Sequence, residues 1–211
     1  MGLSPGEPTT PPQISLPIRS YPLKNVTICR RINNYYQLLD IAMAKLPIIQ
    51  LPDPVLRQKA QEITEINGEL QRLINDMAET MYAAPGLGLA ANQVGVLQRL
   101  IVLDVAHKDG AKDLKVILNP CIKSGEGEAV REEGCLSVAD FSAEVRRHAR
   151  VTVTGLDREG KPLEISGEGL LAVVLQHEID HLDGILFIDH IGRLKRGLYL
   201  RRLKKLAANR R

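Results

Sequence analysis

The stretch QHEIDHLDG, residues 176–184, sets His177 and His181 four residues apart, with Glu178 directly after the first histidine. On a helix that spacing puts both imidazoles on one face, where they can grip a single ion, while Glu178 projects about 100° around the axis. Two nitrogen ligands with a carboxylate beside them are the core of a metal-assisted hydrolysis, in which the carboxylate handles the proton of an attacking water. Two histidines on an exposed amphipathic helix would be ordinary surface. Here they follow Leu170, Leu171, Val173, Val174 and Leu175, and burying such polar groups among those residues is costly unless a metal satisfies them.

A catalytic ion usually takes three protein ligands and keeps one position open, so a third donor is needed. One peptidase pattern supplies a histidine six residues after the second, past a glycine. This chain keeps the glycine, Gly184, but carries Phe187 at the histidine position. Another pattern supplies a downstream glutamate, and no Glu follows Glu178. His190 comes after the apolar run ILFI and Asp189, which places it at the surface. Upstream, Cys135 in REEGCLSV lies in a segment of strand character, and its thiolate would complete a Cys-His-His set suited to zinc or ferrous iron. Taken alone, a cysteine is more often a small buried hydrophobe. Cys121, after ILNP, reads that way, and Cys29 lies in an irregular stretch.

The elements that must position these groups can be read from periodicity. NGELQRLINDMAETMYAAPG, from Asn67, carries Leu70, Leu73, Ile74, Met77 and Met81 at helical spacing and stops at Pro85-Gly86, which predicts an amphipathic helix. VLQRLIVLDV, DLKVILNPCI and RVTVTGLD are short, rich in Val, Ile and Thr, and bounded by Gly, Asn and Pro, as strands are. Residues 170–182 are apolar on nearly every side, which implies a helix through the middle of the core. A basic helix over about residues 192–207 ends the chain, with Leu194, Leu198, Tyr199, Leu203 and Leu206 forming a stripe that should dock in part on the domain. This order of elements gives an α+β fold, short antiparallel strands packed around the H-E-x-x-H helix, instead of alternating βαβ units.

The 211 residues suffice for one catalytic domain, and 44% are hydrophobic, with no apolar run of about 18 and no signal-peptide pattern. A soluble, cytoplasmic protein with no membrane partner is expected. Three cysteines at wide spacing argue against a disulfide framework. With no Trp and two Phe, the core must be aliphatic, and the aromatic platforms that stack bases are largely missing, so sequence-specific nucleic-acid binding is not expected. Residues 1–42 begin MGLSPGEPTTPPQISLP and show no hydrophobic period; they are expected to lie outside the fold, with Met43 opening a single catalytic domain over residues 43–211. Nine of the 28 basic residues and no acid fall within residues 193–211, so a chain of formal charge +3 carries −6 over the rest.

GLGLAANQVG, residues 86–95, follows a helix instead of a strand and has no Gly-Lys-Ser/Thr, so phosphate binding is not expected. Its glycines and alanines either make a tight turn of small residues or let another backbone approach, as an extended peptide would, and Gln93 offers an uncharged amide donor.

Together, GLGLAANQ, EGCLS and QHEIDH in this order resemble the peptide deformylases, from about Met43 to the end of the terminal helix. The resemblance implies hydrolysis of the formyl group from the N-terminal formyl-methionine of newly made polypeptides, with release of formate. It further implies that Cys135, His177 and His181 hold the metal, that Glu178 is the catalytic acid and base, and that Gln93 with the Leu136 backbone N–H donates to the carbonyl oxygen. Gly88 and Gly134 are then expected to border the substrate backbone, and Leu87, Leu136, Leu170, Val173, Val174 and His177 to shape a methionine pocket. Glu133 is expected to pair with Arg147 near the pocket rim. The ligand set suits Zn²⁺, Ni²⁺ or Co²⁺, and the resemblance favours Fe²⁺. The terminal helix, with Arg201, Arg202, Lys204 and Lys205 as contact residues, is expected to recruit the protein to the ribosome near the exit tunnel, where formylated nascent chains emerge. Two rivals are a zinc endopeptidase on the same helix and a ribosome-associated protein whose metal only holds the fold. Glu178 argues against the second, because a structural site closes its fourth position and needs no adjacent carboxylate.

Overall fold

The computed structural model describes residues 45–106 and 110–208, all within the unit Met43–Arg211, so the expectations for residues 1–42 fall outside the described residues. The first helix, α1, spans Gly68–Ala83 and starts where Asn67 caps it, accepting from the N–H groups of Glu69 at 3.1 Å and Leu70 at 3.0 Å. Such a cap contributes about 1 kcal/mol. The strands are β1 (Gly88–Ala90), β2 (Leu100–Leu103), β3 (Lys115–Glu126), β4 (Ala129–Cys135), β5 (Val138–Arg147), β6 (Arg150–Leu156) and β7 (Pro162–Glu168). Five of them form an antiparallel sheet in the order β1-β2-β3-β6-β7, and β4 and β5 form a separate hairpin.

Both faces of the sheet are covered, and the two-residue period of a strand assigns the side chains to them. Ile101, Leu103, Ile117, Val151 and Val153 meet Ala172, Leu175 and Ile179 of the second helix, α2, Gly169–Leu182. Leu100, Val102, Val116 and Leu118 meet Ile74, Met77 and Met81 of α1. Residues 172–179 of α2 are buried without interruption, in keeping with its apolar sequence. Gly184 ends this segment at φ 73°, and a Cβ there would stand 2.6 Å from the Arg57 carbonyl oxygen. That residue is therefore glycine for backbone reasons, whether or not a third histidine follows it.

A third cluster joins the hairpin to the last helix, α3, Arg193–Ala208. Phe141 stacks on Tyr199 at 4.4 Å and on Phe187 at 5.9 Å, and the Tyr199 hydroxyl donates to the Ala139 carbonyl at 3.2 Å. The docking stripe differs from the expected one. Leu194 and Leu198 are 73% and 55% exposed, and α3 packs through Tyr199, Leu200 and Leu203. Tyr199 buries its ring in that cluster, where its hydroxyl finds a partner. The side chain of Leu206 lies outside the described residues.

Strands β1, β5 and β7 were not expected, since the first lies within the glycine loop and the others lack a Val/Ile run. Cys121, expected to be buried, is exposed. Pairing of β3 with β6 shifts between Leu118 and Cys121, and such an irregularity turns a side chain outward. Among the described residues, no helix is long and apolar enough to cross a membrane.

Candidate metal and catalytic site

Helix α2 presents His177 and His181 on one face, and the end of β4 brings Cys135 to them. The Cys135 Sγ lies 3.1 Å from His181 Nε2, and donor atoms of Cys135, His177 and His181 all fall within 4.8 Å of one another. A register shift between Gly134 and Cys135 helps aim the sulfur inward. His177 Nδ1 is 2.8 Å from Glu133 Oε2, so that carboxylate takes the Nδ1–H and leaves Nε2 for an ion. Arg147 grips Glu133 with two bonds, Nε to Oε1 at 2.8 Å and Nη2 to Oε2 at 3.1 Å. This pair was expected at a pocket rim; both residues are buried, one layer behind His177. A buried ion pair of this kind persists because its charges are fully hydrogen-bonded.

Electrostatics supply a test of whether the residues suit a cation. Burial pushes Glu133 up, but His177 and Arg147 outweigh it and hold the carboxyl at about 2. Burial also pulls His177 down, yet hydrogen bonding to Cys135 and Glu133 holds it well above the ordinary histidine value. Burial and then the charge of His177 hold His181 well below that value. The groups around His177 thus favour positive charge at this point, and the soft sulfur with two imidazoles is a donor set for a transition metal.

Glu178 stands beside this group, with a Cβ at Gly88 placed 2.5 Å from its Oε1. The Gly88 position therefore leaves room for the carboxylate. Among the described residues, Glu178 Oε2 is buried with no hydrogen-bond partner, as are His181 Nδ1 and Asn92 Oδ1. Burial pushes Glu178 up to about 7, against the charge of His177.

Gln93 is buried in the turn Ala91–Val94. Its Oε1 accepts from the Ala90 N–H at 2.8 Å, which points Nε2 toward Ser137 Oγ at 3.2 Å and Cys135 Sγ at 3.6 Å. An amide donor thus faces the ligand group. Leu136 is half-buried; its carbonyl accepts from Gln50 Nε2 at 2.6 Å, and the next N–H, of Ser137, lies 3.4 Å from Cys135 Sγ. The segment carrying Gln50 joins the two donor loops, since Ile49 N–H donates to the Gln93 carbonyl at 2.8 Å and Leu51 N–H to the Ser137 carbonyl at 2.9 Å. Sequence reasoning did not find Gln50, Ser137 or Asn92. Asn92 is buried and its Nδ2 donates to the His181 carbonyl, which clips the glycine loop to α2. Only its place in the AANQ motif could have signalled this.

The remaining expected residues differ in exposure. Leu87 is half-buried, and Gly134 is exposed with nothing nearer to a Cβ than the Phe141 carbonyl oxygen at 3.9 Å. Leu170, 39% exposed, lies in the first turn of α2, and Val173 and Val174 are buried one turn on, at the spacing that leads to His177. Val174 also belongs to the core beneath α2. His190 is paired with Asp180 at 2.7 Å and stays outside the ligand group, while Phe187 packs 6.2 Å from the His177 ring. Arg201, Arg202 and Lys205 are exposed, and the side chain of Lys204 lies outside the described residues.

Residues 45–197 match a family model described as polypeptide deformylase. A peptide deformylase of Thermodesulfovibrio yellowstonii is 56% identical over 162 residues, covering 77% of this chain and 98% of the relative. One of Rhizobium meliloti is 53% identical over 165 residues, covering 78% and 95%. A crystal structure of a peptide deformylase from Legionella pneumophila superposes with TM-score 0.74 at 50% identity, over 79% of this chain and 98% of that one.

Proposed function

The chain belongs to the polypeptide deformylase family, and on that premise we propose that Cys135, His177 and His181 hold its catalytic metal, Glu178 moves the protons, and Gln93 with the Leu136 N–H holds the formyl oxygen. The reaction is hydrolysis of the N-formyl group from the formyl-methionine of new polypeptides, releasing formate, and it depends on a metal. The observation that carries the assignment of roles is the convergence of the three donors next to the buried Glu178 carboxylate.

When bound, a divalent ion supplies Lewis-acid polarisation and a lowered pKa for water. Glu178, pushed to about 7 and carrying a free Oε2, accepts a proton from the attacking water and returns it to the departing amine. Negative charge develops on the formyl oxygen as the carbon becomes tetrahedral. Gln93 Nε2 has its orientation set beforehand by the Ala90 bond, and together with the Leu136 N–H it stabilises that charge without reorganising. Glu133 holds His177 in the tautomer that offers Nε2.

Leu87, Leu136, Leu170, Val173, Val174 and His177 line the methionine side-chain site in this reading, and Gly88 and Gly134 flank the peptide. The metal is Fe²⁺ in the cell, with Zn²⁺, Ni²⁺ and Co²⁺ as substitutes. Residues 43–211 constitute the catalytic domain, which acts in the cytoplasm; its basic α3 docks near the ribosomal exit tunnel through Arg201, Arg202, Lys204 and Lys205. The exposure of Arg201, Arg202 and Lys205 supports the last point.

Anaerobic purification, with metal analysis and formate release from formyl-Met-Ala-Ser measured on one sample, tests the reading. One equivalent of metal and stoichiometric formate are expected. Cleavage of internal peptide bonds without formate would favour the endopeptidase rival.

A further inference from the structure

Gln176 and Asp180 flank the two histidines in QHEIDH but take no part in the hydrolysis just described. They form the row of α2 next to the His177/His181 row, each pair spaced by four. The Gln176 side chain is buried and pairs with a backbone: Nε2 donates to the His148 carbonyl at 3.0 Å, Oε1 accepts from the His148 N–H at 3.0 Å, and Nε2 also reaches the Ala172 carbonyl at 2.9 Å. Asp180 Oδ2 accepts from Arg147 Nη1 and lies 2.7 Å from His190 Nε2. Arg147 and His148 are consecutive, so one dipeptide grips α2 at two points a turn apart.

That dipeptide closes the β4–β5 hairpin at the end away from Cys135. The ladder runs from Ala129 opposite Arg147 to Cys135 opposite Val138. The same bar of antiparallel structure therefore clamps α2 at one end and delivers the sulfur at the other. We propose that Gln176 and Asp180 are positioning residues, which fix the rotation of α2 about its axis and so bring His177 and His181 to Cys135.

Hydrophobic burial cannot do this. Residues 172–179 are all buried, and a helix that is apolar nearly all round gains little from one rotation over another. Directional hydrogen bonds do discriminate. At a side-chain radius of about 5–6 Å, a rotation of about 10° displaces a donor atom by about 1 Å. Metal–ligand distances tolerate only about 0.2 Å.

The proposal rests on the reading that Cys135, His177 and His181 hold the metal. The full chain, loaded with Co²⁺, is compared with Gln176→Met, which removes the pairing at similar length, and with Asp180→Asn, which removes the charge at the same size. Asn67→Ala, which removes the cap of α1 away from the site, serves as the control for lost stability. Both α2 variants are expected to bind cobalt about 10- to 100-fold more weakly and to shift the thiolate-to-cobalt charge-transfer band, with the control unchanged in both. Unaltered affinity and spectrum in the α2 variants, or an equal change in Asn67→Ala, overturns the proposal. If Gln176→Met does not fold, Asp180→Asn decides alone. A charge-transfer band missing from the unsubstituted protein, or kept in Cys135→Ala, would sink the ligand set instead.

Discussion

Gly88 and the Glu178 carboxylate share one space: a Cβ on residue 88 would stand 2.5 Å from Oε1 and 2.8 Å from the carboxyl carbon. Gly88→Ala should displace the carboxylate and lower turnover by about 10²-fold, because a misplacement near 1 Å costs that much in a positioned reaction. Metal content should be unchanged. Full turnover in this variant would show that Glu178 works from another position.

Glu178 and Cys135 should separate by what they lose. Glu178→Ala keeps the three donors and should retain metal while losing about 10²- to 10⁴-fold in rate. Cys135→Ala should lose the metal itself. Elemental analysis beside formate release distinguishes them, and stoichiometric metal in Cys135→Ala removes that residue from the ligand set.

Gln93→Leu should cost roughly 10²- to 10³-fold in turnover with little effect on peptide binding, since its amide acts on charge that develops only during reaction. Asn92→Ala behaves differently. Its bond to the His181 carbonyl holds α2 to the loop, so the loss should appear first in thermal stability. A larger drop in turnover for Asn92→Ala than for Gln93→Leu would reverse these roles.

Asp189 predicts an acid limb in stability. It accepts from Arg57 and from the Leu186 N–H at 2.8 Å, and forms an ion pair with Arg196 at 2.9 Å. Burial raises its pKa, but the bonds to Arg57 and Leu186 outweigh that and hold it below the ordinary 3.8. A folded value below the unfolded one means that the stabilisation is fully present at pH values well above 3.8 and is lost as pH falls through the folded value. The melting-temperature difference between the wild type and Asp189→Asn should therefore be greatest near neutrality and shrink in acid. A constant difference would exclude the linkage.

Ribosome docking must be tested without disturbing Tyr199, which stacks on Phe141 at 4.4 Å and belongs to the core. Changing Arg201, Arg202, Lys204 and Lys205 to Gln leaves that contact intact. Co-sedimentation with ribosomes at low salt should be lost and formate release from a short peptide kept, because phosphate contacts are electrostatic and weaken steeply with salt. Undiminished co-sedimentation would leave α3 as a solvated helix.

By itself, the amino-acid sequence determined the parts whose chemistry demands particular residues at particular spacings. The two histidines and Glu178 sit on one helix, so their relation is set within five residues. Asn67 and the Leu70-to-Met81 period likewise specify a capped amphipathic helix from local groups alone, and three ordered motifs sufficed to mark the family. Other relations depended on how distant segments pack. Three cysteines were available, and only the fold sets Cys135 against a histidine 46 positions away while turning Cys121 outward. Glu133 and Arg147 were paired in the sequence reading, but their depth behind His177 follows from where the hairpin meets α2. Gly88 is expected from the resemblance to border a substrate, and its closeness to the Glu178 carboxylate emerged only from the fold. Gln176, Asn92 and Gln50 gave no sign of their roles, because each acts through the backbone of a remote residue, and a backbone partner leaves no mark in its own side-chain type. Local periodicity encodes which face of an element is buried. It does not encode which segment will lie against that face, since that choice is made by the packing of the whole chain.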